Sequence, residues 1–527
     1  ALCHFRHETG AAFAACEASI VSDKPVVAFA TTGPGLLNAL TGITAAKWDG
    51  AKVILVSGAT SHPQRGRWAT QETSSYTLPQ DALYGKSALF DYAVRMEHVA
   101  ELPEVCRRLA QGVSRPGAFV AHVCVPMGVQ AGRVEDAIAG RTLRRSLPSV
   151  AADEIDDIAR QLKSGSFAIW AGFGATHSAA KVRELAERAG VPVLCSPRAK
   201  GVMPERHPLY LGVSGLGGHE TVNEHMRLHK PDHILVLGSR LGEPTSFWDR
   251  DLCPSKAFIH VDLDPEVPGT AFPDVPTVAV QAEVGRFLDA LIGCFAERRE
   301  TVVHLERRVD DPVPLPEAQR RPIRPQVLMS AIQRHVVQGS DAVVLAECGN
   351  SFAWCNHHLR FADAGRYSVS TLFGSMGHAA AGVVGTAIAR DGKAVAVLGD
   401  GSMLMNSEVS TAVEYGAQAV WIVLNDSGYG MCRDGHRALG LTREGVDFKN
   451  TVDFSMMARA VGADGRVIET EDQLELALVD AMAADGPYVL DVRIDASEAS
   501  PLLQRFESLI KQGNSKNVAG WEARNES

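Results

Sequence analysis

The sequence has little of what marks a membrane, secreted or nucleic-acid-binding protein. Its 527 residues contain no apolar run approaching the roughly 20 residues that a membrane-spanning helix needs. The ten cysteines are scattered singly, without CxxC pairs, which excludes a dense disulfide scaffold and favours a reducing, cytoplasmic location. No long Lys/Arg run is present and the formal net charge is −10, so neither nucleic acid nor an anionic membrane is expected as the main partner.

The apolar residues that are present recur in an α/β pattern. The length is enough for three or four domains, and 46 % apolar residues can fill several cores. Three stretches alternate short β-branched runs with helical patterns, which predicts three doubly wound, parallel-sheet α/β domains. The predicted domains cover 1–145, 146–300 and 326–500, with a proline-bearing linker at 301–325 and a polar tail at 501–527. The predicted strands are 26–31, 53–57, 118–125, 168–171, 191–195, 233–238, 258–262, 342–346, 394–398, 419–424 and 488–492.

The most specific local pattern lies in the third predicted domain. The strand 394–398 runs into Gly-Asp-Gly-Ser, a helix is predicted over 407–415, and the strand 419–424 leads into Asn-Asp-Ser-Gly. Consecutive strands of a right-handed β-α-β unit are parallel, so Asp400 and Asp426 should emerge at the same edge of the sheet. Carboxylates suit Mg²⁺, and glycines beside Asp400 let backbone N–H groups approach an anion. Two unrelated strand-end turns are the alternative interpretation.

This pattern resembles the GDG…NN motif of thiamine-diphosphate enzymes, in particular the acetolactate synthase-like family. The resemblance implies that Mg²⁺ is bound by Asp400, Asp426 and the backbone carbonyl of Gly428. Asp426 replaces the usual asparagine, which adds a negative charge beside the diphosphate. The further cofactor-binding residues that the resemblance implies on this side are Gly399, Gly401, Ser402, Tyr429, Asn350 and Ser351.

The resemblance also assigns the residues around the coenzyme's aminopyrimidine ring. Glu8, in the segment Arg-His-Glu, would bond N1′ and promote removal of the thiazolium C2 proton. Met376 would be the apolar wedge beneath the bent coenzyme, and the Gly374 carbonyl would accept from the 4′-amino group. Taken alone, Glu8 could equally be a carboxylate in the first turn of a helix, and Met376 could be core.

The first domain offers further candidates by the same resemblance. Gly33, Gly35 and Asn38 correspond to its glycine turn. Gln71 corresponds to the Gln of a Phe-Gln-Glu segment and would contact substrate, although Thr70 stands where the family has Phe. The coenzyme of this family lies between the first domain of one subunit and the third of another, which implies at least a homodimer, or a homotetramer, with shared active sites. The sequence opens without the first strand that family members usually carry, so an N-terminal piece is expected to be missing.

The central domain carries the weakest signal. Gly172 and Gly174 follow a strand and could form a dinucleotide turn, but a third glycine is absent. Segments 215–219 and 240–244 match poorly the stretches that bind FAD in many acetolactate synthases. A structural domain without FAD is therefore favoured over an FAD-binding one.

The resemblance implies decarboxylation of a 2-oxo acid, with pyruvate as first guess, and ligation of the acyl unit to an acceptor carbonyl. Enzymes that resemble pyruvate decarboxylase protonate the acyl unit through a His-His pair in the first domain and a glutamate after the metal ligand. Here Cys432 stands at the glutamate's place, and His357-His358 lies in the third domain. A non-ligating decarboxylase, a flavin-linked oxidoreductase using the central domain and a non-catalytic homologue remain as alternatives.

Overall fold

A computed structural model describes most of the chain, and predictions that fall outside the described ranges stay predictions. The described residues are 2–134, 147–295, 314–405 and 408–502, together with 505, 506 and 508. The predicted domain boundaries at 145 and 300, most of the predicted linker and nearly all of the predicted tail lie outside them.

The first domain is a four-stranded parallel sheet in the order β1-β2-β4-β3. Its core lies between this sheet and the first two helices, which are rich in small residues and therefore pack closely. The strands are β1 (Val26–Ala30), β2 (Lys52–Ala59), β3 (Tyr92–Arg95) and β4 (Phe119–Pro126). The helices are α1 (Glu8–Ser22), α2 (Pro34–Asp49), α3 (Gln80–Tyr84), α4 (Leu102–Ser114) and α5 (Met127–Gln130).

The central domain is a six-stranded parallel sheet in the order β10-β9-β8-β5-β6-β7, with core on both faces. The predicted strand at 191–195 begins only at residue 193, because Pro192 has no N–H for the ladder. The strands are β5 (Phe167–Ala171), β6 (Val193–Cys195), β7 (Tyr210–Val213), β8 (His233–Leu237), β9 (Ala257–Asp262) and β10 (Thr277–Gln281). The helices are α6 (Ala152–Lys163), α7 (Ala179–Ala189), α8 (Glu220–His229), α9 (Glu243–Ser246) and α10 (Val284–Ile292).

The third domain is a six-stranded parallel sheet in the order β12-β11-β13-β14-β16-β15, again with core on both faces. The strands are β11 (Val343–Ala346), β12 (Tyr367–Val369), β13 (Ala394–Gly399), β14 (Ala419–Asn425), β15 (Asp464–Ile468) and β16 (Tyr488–Arg493). The helices are α11 (Pro325–Ile332), α12 (Asn350–His358), α13 (His378–Arg390), α14 (Asp400–Met403), α15 (Val409–Tyr415), α16 (Gly430–Ala438), α17 (Phe454–Ala460) and α18 (Leu474–Ala483).

Three parallel α/β sheets confirm the predicted fold class, with one correction in the third domain. The helix predicted over 407–415 is shorter, because a separate turn of helix, α14, forms directly after β13 and α15 begins only at Val409. Within the described ranges, no helix combines the length and apolarity that crossing a bilayer requires.

The first and third domains meet through α1 and α13. A Cβ placed on Gly385 of α13 would clash with the carbonyl of Ala14 in α1, so these helices approach at backbone distance. Glu17 of α1 bonds His378, the first residue of α13, at 2.7 Å, and both side chains are buried. The contact joins the helix that begins at Glu8 to the helix that follows Met376.

Candidate active site

Asp400 and Asp426 lie at the carboxyl ends of β13 and β14, which are neighbours in the sheet. The Asp400 carboxylate is buried and accepts the backbone N–H groups of Gly401 at 2.7 Å and Gly428 at 3.0 Å. Because the strands are parallel, both carboxylates are presented at one edge, as the strand–turn–helix–strand pattern predicts. The turn after β14 also brings Gly428 against Asp400.

The electrostatics of this pair favour a cation. Burial raises the pKa of Asp400 to about 7, and the charge of Asp426 acts in the same direction. Burial also raises the pKa of Asp426, against the opposing effect of the Arg433 guanidinium. A buried carboxylate with a raised pKa beside a second carboxylate is a ligand set to which a divalent ion can bind by displacing protons.

Arg433 is a member of this site that the sequence did not reveal. Its Nη1 donates to Asp426 Oδ2 at 2.6 Å and its Nε donates to Asp447 Oδ1 at 2.7 Å, with the side chain 2 % exposed. The adjacent Cys432, which stands where the decarboxylases have their proton-donating glutamate, is exposed. In the sequence, the role of Arg433 is indicated only by its position, one helical turn after Tyr429.

Open space adjoins these carboxylates. A Cβ placed on Gly349, Gly374 or Gly399 would meet nothing within 4 Å, so open space lies beside these strand-end loops. Two atoms in these loops, Asn350 Oδ1 and Ser375 Oγ, are buried and have no hydrogen-bond partner among the described residues. Both atoms are free to bond a ligand. The open space therefore suits a polar, anionic group beside a cation.

The remaining third-domain candidates lie around the same open space. A Cβ on Gly401 would lie 2.8 Å from Tyr429 Cε1 and 3.3 Å from Met376 Cε, so these two side chains converge over that glycine. Ser402 is buried next to it. Ser351 is also buried, but its hydroxyl donates to the Glu347 carbonyl at 3.0 Å.

Glu347 holds the loop that carries Met376, and sequence reasoning assigned it no role. Its carboxylate accepts the backbone N–H groups of Ala379 at 3.0 Å and Ala380 at 3.3 Å, which are in the first turn of α13. A carboxylate at a helix N-terminus satisfies donors that have no partner within the helix. The first turn of α13 is thus tied to the end of β11, next to Asn350.

The first-domain candidates form a second cluster. Asn38 Nδ2 donates to Glu8 Oε2 at 3.2 Å, and a Cβ on Gly35 would lie 3.0 Å from Glu8 Oε1. Thr32 donates to Gln71 Oε1 at 3.3 Å. Gly33 has φ +56° and lies against the Gln71 backbone, where a side chain would be strained.

Among the residues that the structure describes, the two clusters of one chain make no direct hydrogen bond to each other. No hydrogen bond between described residues joins Glu8 or Gln71 to Asp400 or Asp426. The segment before Glu8 does contact the third domain, because the buried Glu408 accepts the backbone N–H groups of Arg6 and His7, each at 3.1 Å. Glu408 therefore positions the segment that carries Glu8.

Three family models match the chain in order. They describe the N-terminal thiamine pyrophosphate binding domain over residues 1–78, the central domain over 155–291 and the C-terminal thiamine pyrophosphate binding domain over 347–492. The chain belongs to the thiamine pyrophosphate enzyme family. The predicted family is thereby confirmed, and thiamine diphosphate is its coenzyme.

Relatives of this thiamine pyrophosphate enzyme extend over nearly its full length. The acetolactate synthase isozyme 1 large subunit of Escherichia coli (strain K12) is 29 % identical over 509 residues, covering 94 % of this chain and 87 % of that protein. The acetolactate synthase of Arthrospira platensis is 26 % identical over 530 residues, covering 94 % and 86 %. Benzoylformate decarboxylase from Polynucleobacter necessarius has the same fold, with a TM-score of 0.80 at 18 % identity over 94 % of this chain and 92 % of that one.

Proposed function

We propose that this enzyme binds thiamine diphosphate with Mg²⁺, decarboxylates a 2-oxo acid and ligates the acyl unit to an acceptor carbonyl. One observation carries the proposal: the buried Asp400 and the largely buried Asp426, at neighbouring strand ends, adjoin open space beside glycine-bearing loops that hold two unpaired polar atoms. Relatives named as acetolactate synthases support ligation and make pyruvate the first donor to test.

The chain's own residues would divide the work between the two clusters. Asp400, Asp426 and the Gly428 carbonyl would hold Mg²⁺ and, through it, the diphosphate. Gly399, Gly401, Ser402, Asn350, Ser351 and Tyr429 would line the diphosphate side. When bound, thiamine diphosphate supplies a carbon nucleophile and takes up the electrons that decarboxylation releases. Glu8 would hold a proton at N1′, while Met376 and Gly374 orient the ring.

The substrate side belongs to the first domain in this proposal. Gly33, Gly35 and Asn38 shape the turn against which Glu8 lies, and Asn38 orients its carboxylate. Gln71 is exposed on the neighbouring loop with φ +53°, where its amide can reach a bound substrate. Thr70 leaves the acceptor open, because a smaller side chain replaces the family's Phe beside Gln71.

The arrangement of proton donors supports ligation over release of an aldehyde. The acyl unit left after CO₂ departs either takes a proton or attacks a second carbonyl. His357, the first of the His-His pair, lies against the central domain, where its carbonyl bonds His219 Nε2 at 2.9 Å. Arg433 is held by two carboxylates and is no acid at neutral pH. The acyl unit should therefore reach an acceptor before a proton.

Shared active sites are what the family resemblance implies. We propose a homodimer at least, in which Glu8 and Gln71 of one chain face Asp400 and Asp426 of its partner. Apolar side chains near both clusters support an interface there: Phe29, Leu37, Met405 and Tyr429 are all more than 40 % exposed.

The central domain is proposed to be structural, without FAD. Gly172 and Gly174 lie against the backbone of Gly238, so this turn packs two strand ends together. Arg198 and Arg240 donate to first-domain carbonyls, those of Asp49 and Trp48, both at 2.8 Å. A visible flavin spectrum from the purified protein would contradict this.

Product analysis with labelled pyruvate and a panel of acceptor carbonyls tests the reaction. The enzyme is incubated with thiamine diphosphate and Mg²⁺, and CO₂ release is measured together with new carbon–carbon bonds. We expect one ligated product for each CO₂ released. Quantitative acetaldehyde without ligation would show the non-ligating decarboxylase instead.

A further inference from the structure

We propose that Arg433 is a positioning residue that compensates the charge of Asp426, so that this chain can use aspartate where the family motif has asparagine. The inference deepens the proposed metal and diphosphate site and rests on it. Asparagine brings no charge to the metal site, whereas Asp426 adds one beside Asp400, where a polyanionic diphosphate must bind. Buried charges are tolerated when each has a hydrogen-bonded partner of opposite sign.

The Arg433 guanidinium makes three hydrogen bonds, two to Asp426 and one to Asp447. Nη1 donates to Asp426 Oδ2 at 2.6 Å, Nη2 donates to the Asp426 carbonyl at 3.2 Å, and Nε donates to Asp447 Oδ1 at 2.7 Å. The Arg433 side chain is 2 % exposed and the Asp426 side chain 10 % exposed, so solvent screens the pair little. Arginine suits this position because its planar fork bonds several oxygens at once.

Arg433 also shapes the backbone ligand. A Cβ on Gly428 would clash with Arg433 Nη2 and lie 2.5 Å from the Val446 carbonyl oxygen. Only glycine lets the turn close around the guanidinium. The side chain of Arg433 therefore holds the Asp426 carboxylate and packs against Gly428. Its own backbone is held in α16, where its N–H donates to the Tyr429 carbonyl at 2.9 Å.

The test compares four proteins: the natural enzyme, Arg433→Gln, Asp426→Asn and the double variant. Thiamine diphosphate affinity is measured by calorimetry at saturating Mg²⁺, a readout independent of turnover. Arg433→Gln leaves Asp426 uncompensated, so we expect affinity to fall at least about tenfold. The double variant removes both charges and restores the family's asparagine, so its affinity should return to within about threefold of the natural enzyme.

Arg443→Gln is the matched control. Arg443 bonds the same Asp447, at 2.9 Å and 3.0 Å, but is 63 % exposed and does not contact Asp426. We expect Arg443→Gln to bind thiamine diphosphate with the affinity of the natural enzyme. Arg433→Lys keeps the charge and loses the fork, so it should bind more tightly than Arg433→Gln. Arg433→Met also removes the charge, and it carries the comparison if Arg433→Gln does not fold.

Two results would overturn the inference and are distinguishable. If the natural enzyme binds thiamine diphosphate with Mg²⁺ and Arg433→Gln, or Arg433→Met in its place, binds equally well, Arg433 has no such role. The same conclusion follows if the double variant is as weak as the two single losses combined. If the natural enzyme itself does not bind thiamine diphosphate with Mg²⁺, the proposed function fails first and the inference fails with it.

Discussion

At the scale of single residues, the hydrogen-bond and ion-pair partners of each carboxylate determine which of them is available to bind a metal ion. Asp400 accepts two backbone N–H groups and has no cation of its own in the described residues, whereas Asp426 is paired with Arg433. Glu347 is committed to the first turn of α13. Asp400 is therefore the carboxylate that most needs a metal ion, and it should dominate metal affinity.

Asp400→Asn should weaken Mg²⁺-dependent binding of thiamine diphosphate at least about tenfold, because the amide keeps the shape of the ligand but loses its charge. Calorimetry with and without Mg²⁺ measures this, and a chelator should release the coenzyme from the natural enzyme. Asp391→Asn is the control, since Asp391 is exposed at the other end of α13. Native affinity in Asp400→Asn would remove this residue from the metal site.

Glu8→Gln should leave coenzyme binding intact while turnover falls by about 10²–10⁴-fold, because the amide can bond N1′ but cannot exchange a proton with it. Hydrogen–deuterium exchange at C2 of the bound coenzyme, followed by NMR, is the direct measurement. Asn38→Ala removes only the group that orients Glu8 and should produce a smaller loss. Unchanged exchange in Glu8→Gln would assign the proton transfer to another residue.

The residues that sequence reasoning missed share one property: their partners are distant in sequence or lie on another element. The metal carboxylates could be predicted because the β-α-β unit brings them together by rule. Glu408 acts on Arg6 and His7, about four hundred positions earlier, and no local pattern announces it. Arg433 lies seven positions from Asp426, but only the turn of the chain between them makes the pair visible.

At the scale of elements, the strands that were not predicted are all at sheet edges. These are β3, β7, β10, β12 and β15. Interior strands such as β14 are continuous buried apolar runs, which a sequence displays directly. Edge strands are either shorter, like the three-residue β12, or partly exposed and polar, like β15. The edge strand β1 was predicted because it is uninterrupted apolar sequence.

The contact of α1 with α13 should depend on its buried ion pair. Although burial opposes ionisation of both groups, their mutual hydrogen bond lowers the pKa of Glu17 and raises that of His378. Glu17→Gln leaves His378 without a counter-charge and should lower the free energy of unfolding by about 3 kcal/mol. Urea unfolding followed by circular dichroism measures this. Glu414→Gln is the control, since Glu414 pairs with Arg6 across the same domains but is 44 % exposed, and should cost less than about 1 kcal/mol.

The loss of stability in Glu17→Gln should change with pH in a definite direction. A histidine with a raised pKa contributes stability fully below its unfolded value near 6.5 and loses it as the pH rises through the folded value. Glu17, with a lowered pKa, contributes above its unfolded value and loses it as the pH falls through the folded one. The difference between the natural protein and Glu17→Gln should therefore be larger near about pH 6 than near about pH 9. An equal difference at both would contradict an ion pair.

At the scale of the whole molecule, each chain carries both clusters, and no hydrogen bond between described residues joins them. Glu408 and the pair of Glu17 with His378 tie the first domain to the third without joining Glu8 to Asp400. If active sites are shared, each chain contributes its first-domain cluster to one active site and its third-domain cluster to the other. These contacts then link the two active sites through the chain. Assembly is then required for catalysis.

Mixing two inactive variants tests this arrangement. Glu8→Gln and Asp400→Asn should each be nearly inactive as homodimers, because every shared site contains one defect. In a mixed dimer one site collects both defects and the other receives intact Glu8 and intact Asp400. Random re-association of equal amounts places half of the chains in mixed dimers, so activity should recover to about a quarter of the natural enzyme. Sedimentation of the mixture establishes that dimers form, and mixing each variant with itself is the control. Dimers that exchange subunits without any recovery would mean that each site is built from a single chain.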